Sequence, residues 1–466
     1  MKHLNRSILA DYDVALNAPD RLCAVQFGDD AVLLGLVDRL LDDANQKGLN
    51  VGVAVVQPGE TGYARLLSEQ EGLFTTFVRG EQKDQPVRRE QVVQCVLRAL
   101  DPGADDEALM ALARDGEIRF CLLHEDESGE FEARDRICTA LAARFLVERW
   151  RTGLPGMAMI VCGADVDCAE RLRSRIVEFG REWRTGEAFE RWLEQCRFLP
   201  ALADCLVARS GAEEAARLCS EMNYADAMIH LAEPYGLWAI RADAAFRAEF
   251  PLDEGCAQIR FTDDLETLFA LRSRIFDAGL FAMAALGCLH GDRTLAECIK
   301  DEPLRELAGH ALMDEILPYV PVDRERVTAY VIECYERYGN AMNDNDILAC
   351  AGGLIRRFNA GVLPVFRAYA AEHFEPPKRL TVALAATILL YADAREKDGV
   401  YETVIGQETC VLHESPAILA RFAHLSSDMS PDSLAYAVLS DRELWNGEDL
   451  RQIDGLTELL TDNLAG

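Results

Sequence analysis

Apolar and polar positions alternate differently in the two halves of the chain. A short apolar run, LCAVQFG (22–28), is bounded by Pro19 and Gly28. An amphipathic stretch follows, AVLLGLVDRLLDDANQKG (31–48), and then a β-branched run that proline and glycine end, VGVAVVQPGE (51–60). Strand, helix and strand in so short a span form a βαβ unit, and such a unit implies a parallel sheet. Strand character recurs in GLFTTFVRG (72–80), IRFCLLHE (118–125) and GMAMIVCGA (156–164). Helical periodicity is read over REQVVQCVLRAL (89–100), DRICTALAARFLVERW (135–150) and CAERLRSRIVEFGREW (168–183). Strands alternating with helices make this half α/β.

The last strand candidates are LWAIRADAAF (237–246) and CAQIRFTDDL (256–265). Beyond them nearly every segment is helical in period, the clearest being LETLFALRSRIFDAGLFAMAALGCL, EPLRELAGHALMDEIL, VTAYVIECYERYG and LTVALAATILLYADA. Pro318, Pro321, Pro364 and Pro376–Pro377 are expected to separate these helices. The pattern predicts an α/β domain over residues 1–253 and an all-helical domain over 254–466, with Pro251 and Gly255 as punctuation. Chemistry in such a chain is expected at the carboxyl ends of the parallel strands.

Composition narrows the partners. The net charge of -31, from 79 acidic and 48 basic residues, comes without a basic run. That excludes nucleic acid as a partner and opposes anionic membrane surfaces. Fifteen cysteines, odd in number and without CxxC spacing, imply reduced thiols in a reducing compartment. The eight histidines do not fall at ligand spacing, so no metal site is expected. The N-terminal segment lacks the apolar core of a signal peptide. LTVALAATILLYA (380–392) is too short to span a bilayer, so it reads as a buried helix and the expected location is the cytoplasm.

The segments QFGDDAVLLGLVDRLLDDAN (26–45) and VGVAVVQPGETGYARLLSEQEGLFTTFVRG (51–80) resemble tagaturonate reductases, also called altronate oxidoreductases, of the mannitol dehydrogenase family. The likeness resumes in EWRTGEAFERWLEQCRFLPALADCLV (182–207), AEPYGLWAI (232–240), FTDDLETL (261–268), RYGNAMNDND (337–346) and RLTVALAATILLYADARE (379–396), and ends in VLSDRELWNGEDLRQIDGLTELLTDNL. It implies a Rossmann-type N-terminal domain, a helical substrate domain, and metal-free hydride transfer between NAD and a sugar acid or polyol.

The resemblance also locates the expected chemistry, and there the residues depart from the family pattern. The phosphate loop, Gly-x-Gly-x-x-x-Arg in the family, falls on Phe27, Gly28, Asp29, Asp30 and, at the arginine position, Leu34. Two carboxylates thus stand where a pyrophosphate would approach; alternatively, they cap the following helix. The strand-end acid that holds a ribose is absent at Gln57–Pro58, with Glu60 nearby. The family's catalytic Lys-x-x-x-x-Asn-x-x-His falls on Arg272, Asp277 and Leu280. Arginine does not release a proton near neutral pH, and leucine has no donor. Spacing also allows Arg274 to pair with Asp277 on one helix face.

A second motif retains Asn340, with Asn345 five residues on, and has Ala341 and Asp344 in place of proline and lysine. A third, over Cys196–Cys205, keeps Phe198 and Asp204 but has Ala201 and Ala203. The family's Asn-Thr-Thr-Glu becomes His124-Glu125-Asp126-Glu127. The sequence therefore supports two readings. One is a catalytically degenerate homologue without a required cofactor, acting as an interaction or regulatory protein beside sugar-acid metabolism, with a small sugar acid or a protein as partner. The other is an active NAD-dependent hexuronate or polyol oxidoreductase in which His124 or Glu233 moves the proton.

Overall fold

The computed structural model describes residues 1–59, 61–83, 85–125, 132–340, 347–350, 352–397 and 399–466. Two compact units result, the first comprising Met1–Glu125 with Ala133–Glu266, and the second taking in Thr267–Gly466.

The first unit is built on an eight-stranded sheet. Its strands run in the order Ile259–Phe261, Leu237–Ile240, Arg197–Asp204, Ala158–Cys162, Phe120–His124, Leu22–Phe27, Gly52–Val56 and Val96–Leu100. All neighbours are parallel except 197–204 against 237–240. The strands are apolar at successive positions because both sheet faces are covered. Ala24, Val53, Val55, Leu122 and Ile160 face one core. Val25, Phe27, Val56, Leu123 and Val161 face the other. A smaller sheet joins Val207–Arg209, His230–Ala232, Phe74–Gln82 and Gln85–Val93.

Several expectations are corrected. Residues 89–100 are not a helix but parts of two strands, Gln85–Val93 and Val96–Leu100. Val92, Val93 and Val96 fit a helical spacing, yet they are β-branched and are drawn into the ladder with Phe74–Gln82 and into the edge of the main sheet. The first unit extends to Glu266, past the expected boundary at residue 253, because Ile259–Phe261 completes the main sheet and Gly255 packs on Ala44. The second unit also contains a three-stranded antiparallel sheet, Arg395–Lys397, Val400–Ile405 and Glu408–Val411, inside a region read as helical.

The core of the second unit is the helix Ala278–His290, which is apolar on every side and accordingly buried, packed against Lys378–Tyr391. Pro364 does not break a helix. Residues 354–373 are continuous, with a π turn at Phe358–Val362 that ends one residue short of the proline. The wider turn accommodates a residue that has no N–H and whose ring would strike the carbonyl four residues back. Among the described residues no helix is long and apolar enough to cross a membrane.

Candidate functional site

The strand Leu22–Phe27 delivers the chain to Gly28, whose φ of +134° is open to glycine but strained for other residues. A Cβ there would also meet Leu33 Cδ1 at 3.0 Å and Asp30 Oδ2 at 3.3 Å. Helix 31–45 begins directly afterwards and includes a π turn at Leu33–Asp38. Its first N–H groups have no partner within the helix and form the place where a dinucleotide fold receives a phosphate. Here Asp30 Oδ1 accepts the N–H of Val32 at 3.0 Å and of Leu33 at 3.1 Å. Asp29 is 2% exposed, and its Oδ2 accepts the hydroxyl of Thr61 at 2.6 Å, tying this loop to the one after the next strand. Leu34, at the family's arginine position, is buried, and Phe27 packs edge-on against Phe145. The Asp30 carboxylate thus takes up N–H groups at the helix start and places a negative charge beside them.

His124 ends its strand, and its Nδ1 lies 3.2 Å from Asp30 Oδ1. Glu125 forms a two-point ion pair with Arg171, at 3.0 Å and 2.5 Å. Asp204 is buried at the end of the strand Arg197–Asp204, opposite Leu237. Glu233 is buried as well, with Oε1 accepting the N–H of Leu206 at 2.6 Å while its own N–H returns to the Leu206 carbonyl. His124 and Asp30, which belong to separate motifs in the sequence, meet in the structure, and the Thr61–Asp29 clasp joins residues 32 apart with no sequence signal.

The helical path 265–290, which lies in the second unit from Thr267 onward, includes a π turn at Arg272–Asp277. The turn's i→i+5 register brings Arg272 and Asp277 together, with Arg272 Nη2 3.4 Å from Asp277 Oδ1. Helical spacing also allows Arg274, but Arg357 is the second partner of that oxygen. Arg272 and Arg337 lie over the Phe276 ring, at 4.3 Å and 3.9 Å from its centroid. Tyr338 donates its hydroxyl to the Phe276 carbonyl at 2.6 Å, and burial pushes that phenol well above its usual range. Leu280 is core, and Asn340 is buried just past the helix Arg324–Tyr338. Asn345, Ala341, Asp344, Glu60, Asp126 and Glu127 lie outside the described residues. Arg337 and Arg357 were not singled out from the sequence, since arginines in RYGN and IRRFN carry no signal until the helices are packed.

Residues 265–465 match the mannitol dehydrogenase C-terminal domain. Altronate oxidoreductase from Klebsiella pneumoniae (strain 342) is 30% identical over 484 aligned positions, covering 100% of this chain and 97% of that protein. The enzyme of the same name from Escherichia coli O7:K1 (strain IAI39 / ExPEC) is 28% identical over the same coverage. Among solved structures, Pseudomonas fluorescens mannitol 2-dehydrogenase, in a ternary complex with NAD and D-mannitol, superposes with a TM-score of 0.80 at 16% identity, covering 100% of this chain and 96% of that one. A substrate-free D-sorbitol dehydrogenase gives 0.73 at 16% identity, covering 99% and 97%. The fold likeness and the end-to-end sequence match agree: this chain belongs to the altronate oxidoreductase and mannitol dehydrogenase family.

Proposed function

We propose that this chain is a catalytically degenerate member of its family, a non-catalytic interaction or regulatory protein tied to sugar-acid metabolism. The observation that carries the reading is the Asp30 carboxylate on the N–H groups of Val32 and Leu33. A phosphate brought within about 4 Å of that carboxylate meets a repulsion of about 4 kcal/mol at an effective dielectric of about 20. That corresponds to roughly three orders of magnitude in affinity, before the lost backbone donors are counted. The second support is Arg272, which stands at the lysine position and is held against Asp277, beside Leu280. An arginine cannot exchange a proton with a substrate oxygen near neutral pH.

The test is calorimetric titration of the purified protein with NAD and NADH up to low millimolar concentration. The expected outcome is no binding, together with no NADH oxidation by keto-sugar acids. Micromolar binding would overturn the reading in favour of an active NAD-dependent oxidoreductase of a hexuronate or polyol. The His124–Asp30 pair is the observation that favours this second reading, because an imidazole beside a carboxylate at a strand end is suited to moving a proton.

A further inference from the structure

The three-stranded sheet of the second unit ends on the strand Glu408–Val411, which among the described residues pairs only with Val400–Ile405. Ile405 stands opposite Glu408, Val404 opposite Thr409, Thr403 opposite Cys410 and Glu402 opposite Val411. Just beyond, Leu412 donates its N–H to the Tyr401 carbonyl at 2.9 Å. Hydrogen-bonded and non-hydrogen-bonded pairs alternate along an antiparallel ladder. Counted from Tyr401 and Leu412, the backbone groups of Cys410 and Glu408 turn into the sheet, and those of Thr409 and Val411 turn out of it. The strand thus presents outward N–H and C=O groups along a free edge.

Two features set this edge apart. The opposite edge of the same sheet, Arg395–Lys397, is charged at every position. The edge strands of the two larger sheets carry Arg98, Arg260, Arg209 and, in Gln85–Val93, Arg88 and Arg89. Such charges oppose pairing with another chain. Glu408–Val411 has a single charged residue, Glu408, and Arg293 pairs with it. Its outward positions are β-branched instead. The second feature is the face above the edge. Val400, Val404 and Val411 lie on one side of the sheet together with Thr409, and all four are exposed.

We propose that Glu408–Val411 pairs antiparallel with the same strand of a second copy of this chain, about a two-fold axis at Cys410. A two-fold axis normal to the sheet matches like faces, which restricts the register. With Cys410 at the axis, Thr409 exchanges hydrogen bonds with the partner's Val411, and Val411 with the partner's Thr409. Centring on Thr409 or Val411 instead sets one of them against a residue beyond the strand. Cys410 then faces the partner's Cys410 as a non-hydrogen-bonded pair, with Cα atoms about 4.5 Å apart. No like charges stand opposite each other, and the valine face continues across the axis. This self-complementarity selects a second copy over an unrelated strand. The edge is short, so the interface falls below the roughly 1,200 Å² of a stable complex and the dimer is weak and reversible. The charge of -31 opposes it, and salt screens that repulsion. The inference goes beyond the proposed function and does not depend on it.

The experiment is sedimentation of the full-length protein from about 5 µM to about 500 µM in about 150 mM salt. The average mass is expected to rise toward that of a dimer. Diamide is then added, which takes up the two thiol hydrogens as a disulfide forms; the Cα spacing at the axis lies within the roughly 4.4–6.8 Å that a disulfide spans. Peptide mapping is expected to find the link between two copies of Cys410 at least about tenfold more abundant than links through Cys205 or Cys219, which are also half-buried. Thr409→Pro removes an outward donor without touching the ladder to Val400–Ile405. It is expected to lower both the dimer fraction and the Cys410 link about tenfold. Val411→Lys puts a charge on the edge and is expected to act in the same direction, which keeps the test intact if the proline variant does not fold. A monomer at every concentration, or a Cys410 link no more abundant than those through Cys205 and Cys219, would overturn the proposal. So would a dimer that both variants leave unchanged.

Discussion

Asp30 does one thing that is seen and one that is proposed: it completes the start of a helix, and on the proposed function it blocks the approach of a phosphate. Removing it separates the two. Asp30→Gly is expected to lower stability by only a few tenths of a kcal/mol, because glycine is itself tolerated as a cap. It is expected to raise NAD affinity by at least about a hundredfold, from relief of the repulsion described above. Calorimetry of the variant beside the unsubstituted protein checks this, and equal heats in both would show that the block lies elsewhere. His230 allows a second test at this scale. It is buried edge-on to Phe74, with ring centroids 5.3 Å apart, and burial pushes its imidazole down to about 4. The neutral ring is the form the fold accepts. Its contribution is complete above the free-histidine value near 6.5 and is lost as pH falls from there through about 4. Relative to His230→Gln, the stability of the unsubstituted protein is expected to drop by roughly 3 kcal/mol across that window in urea unfolding.

At the level of elements, the π turns decide what the sequence could reveal. Helix positions, the βαβ opening and the buried Lys378–Tyr391 helix were legible because apolar periodicity survives in them. The partner of Asp277 was not, because counting in steps of three and four assumes an α-helix and the chain is wider at Arg272–Asp277. The same limit hid the strands at 89–100, where pairing with a distant segment overrides a helical spacing. The carboxylates of the phosphate loop were legible as departures from the family pattern, whereas their hydrogen bonds required the fold. The Asp277 cluster also yields a prediction. Arg357→Ala removes one of two cations from a buried carboxylate and is expected to cost about 3 kcal/mol. Asp277→Asn in the same background is expected to recover part of that loss, and thermal unfolding of the single and double variants measures the coupling.

Across the whole molecule, two buried titrating side chains act with opposite sign. Burial raises the Glu414 carboxyl, so its stabilising contribution is complete below the free-glutamate value of 4.5 and is lost as pH rises through about 7. His230 runs the other way over an overlapping range. They belong to different units, so the variant-minus-parent differences for His230→Gln and Glu414→Gln are expected to slope in opposite directions between about pH 4.5 and about pH 6.5. Parallel slopes in urea unfolding would show that one of the two environments has been misread. The charge of -31 adds self-repulsion to both, which moderate salt should ease.

The internal cap at residue 30 has a consequence for supply and demand in the cell. A protein whose helix start is left open gains stability when a nucleotide arrives, so its melting temperature and its survival against proteases follow the nucleotide pool. Here that opening is closed from within the chain. On the proposed function, the melting temperature stays flat from zero to millimolar NADH, so the stability of the fold does not follow the redox state around it.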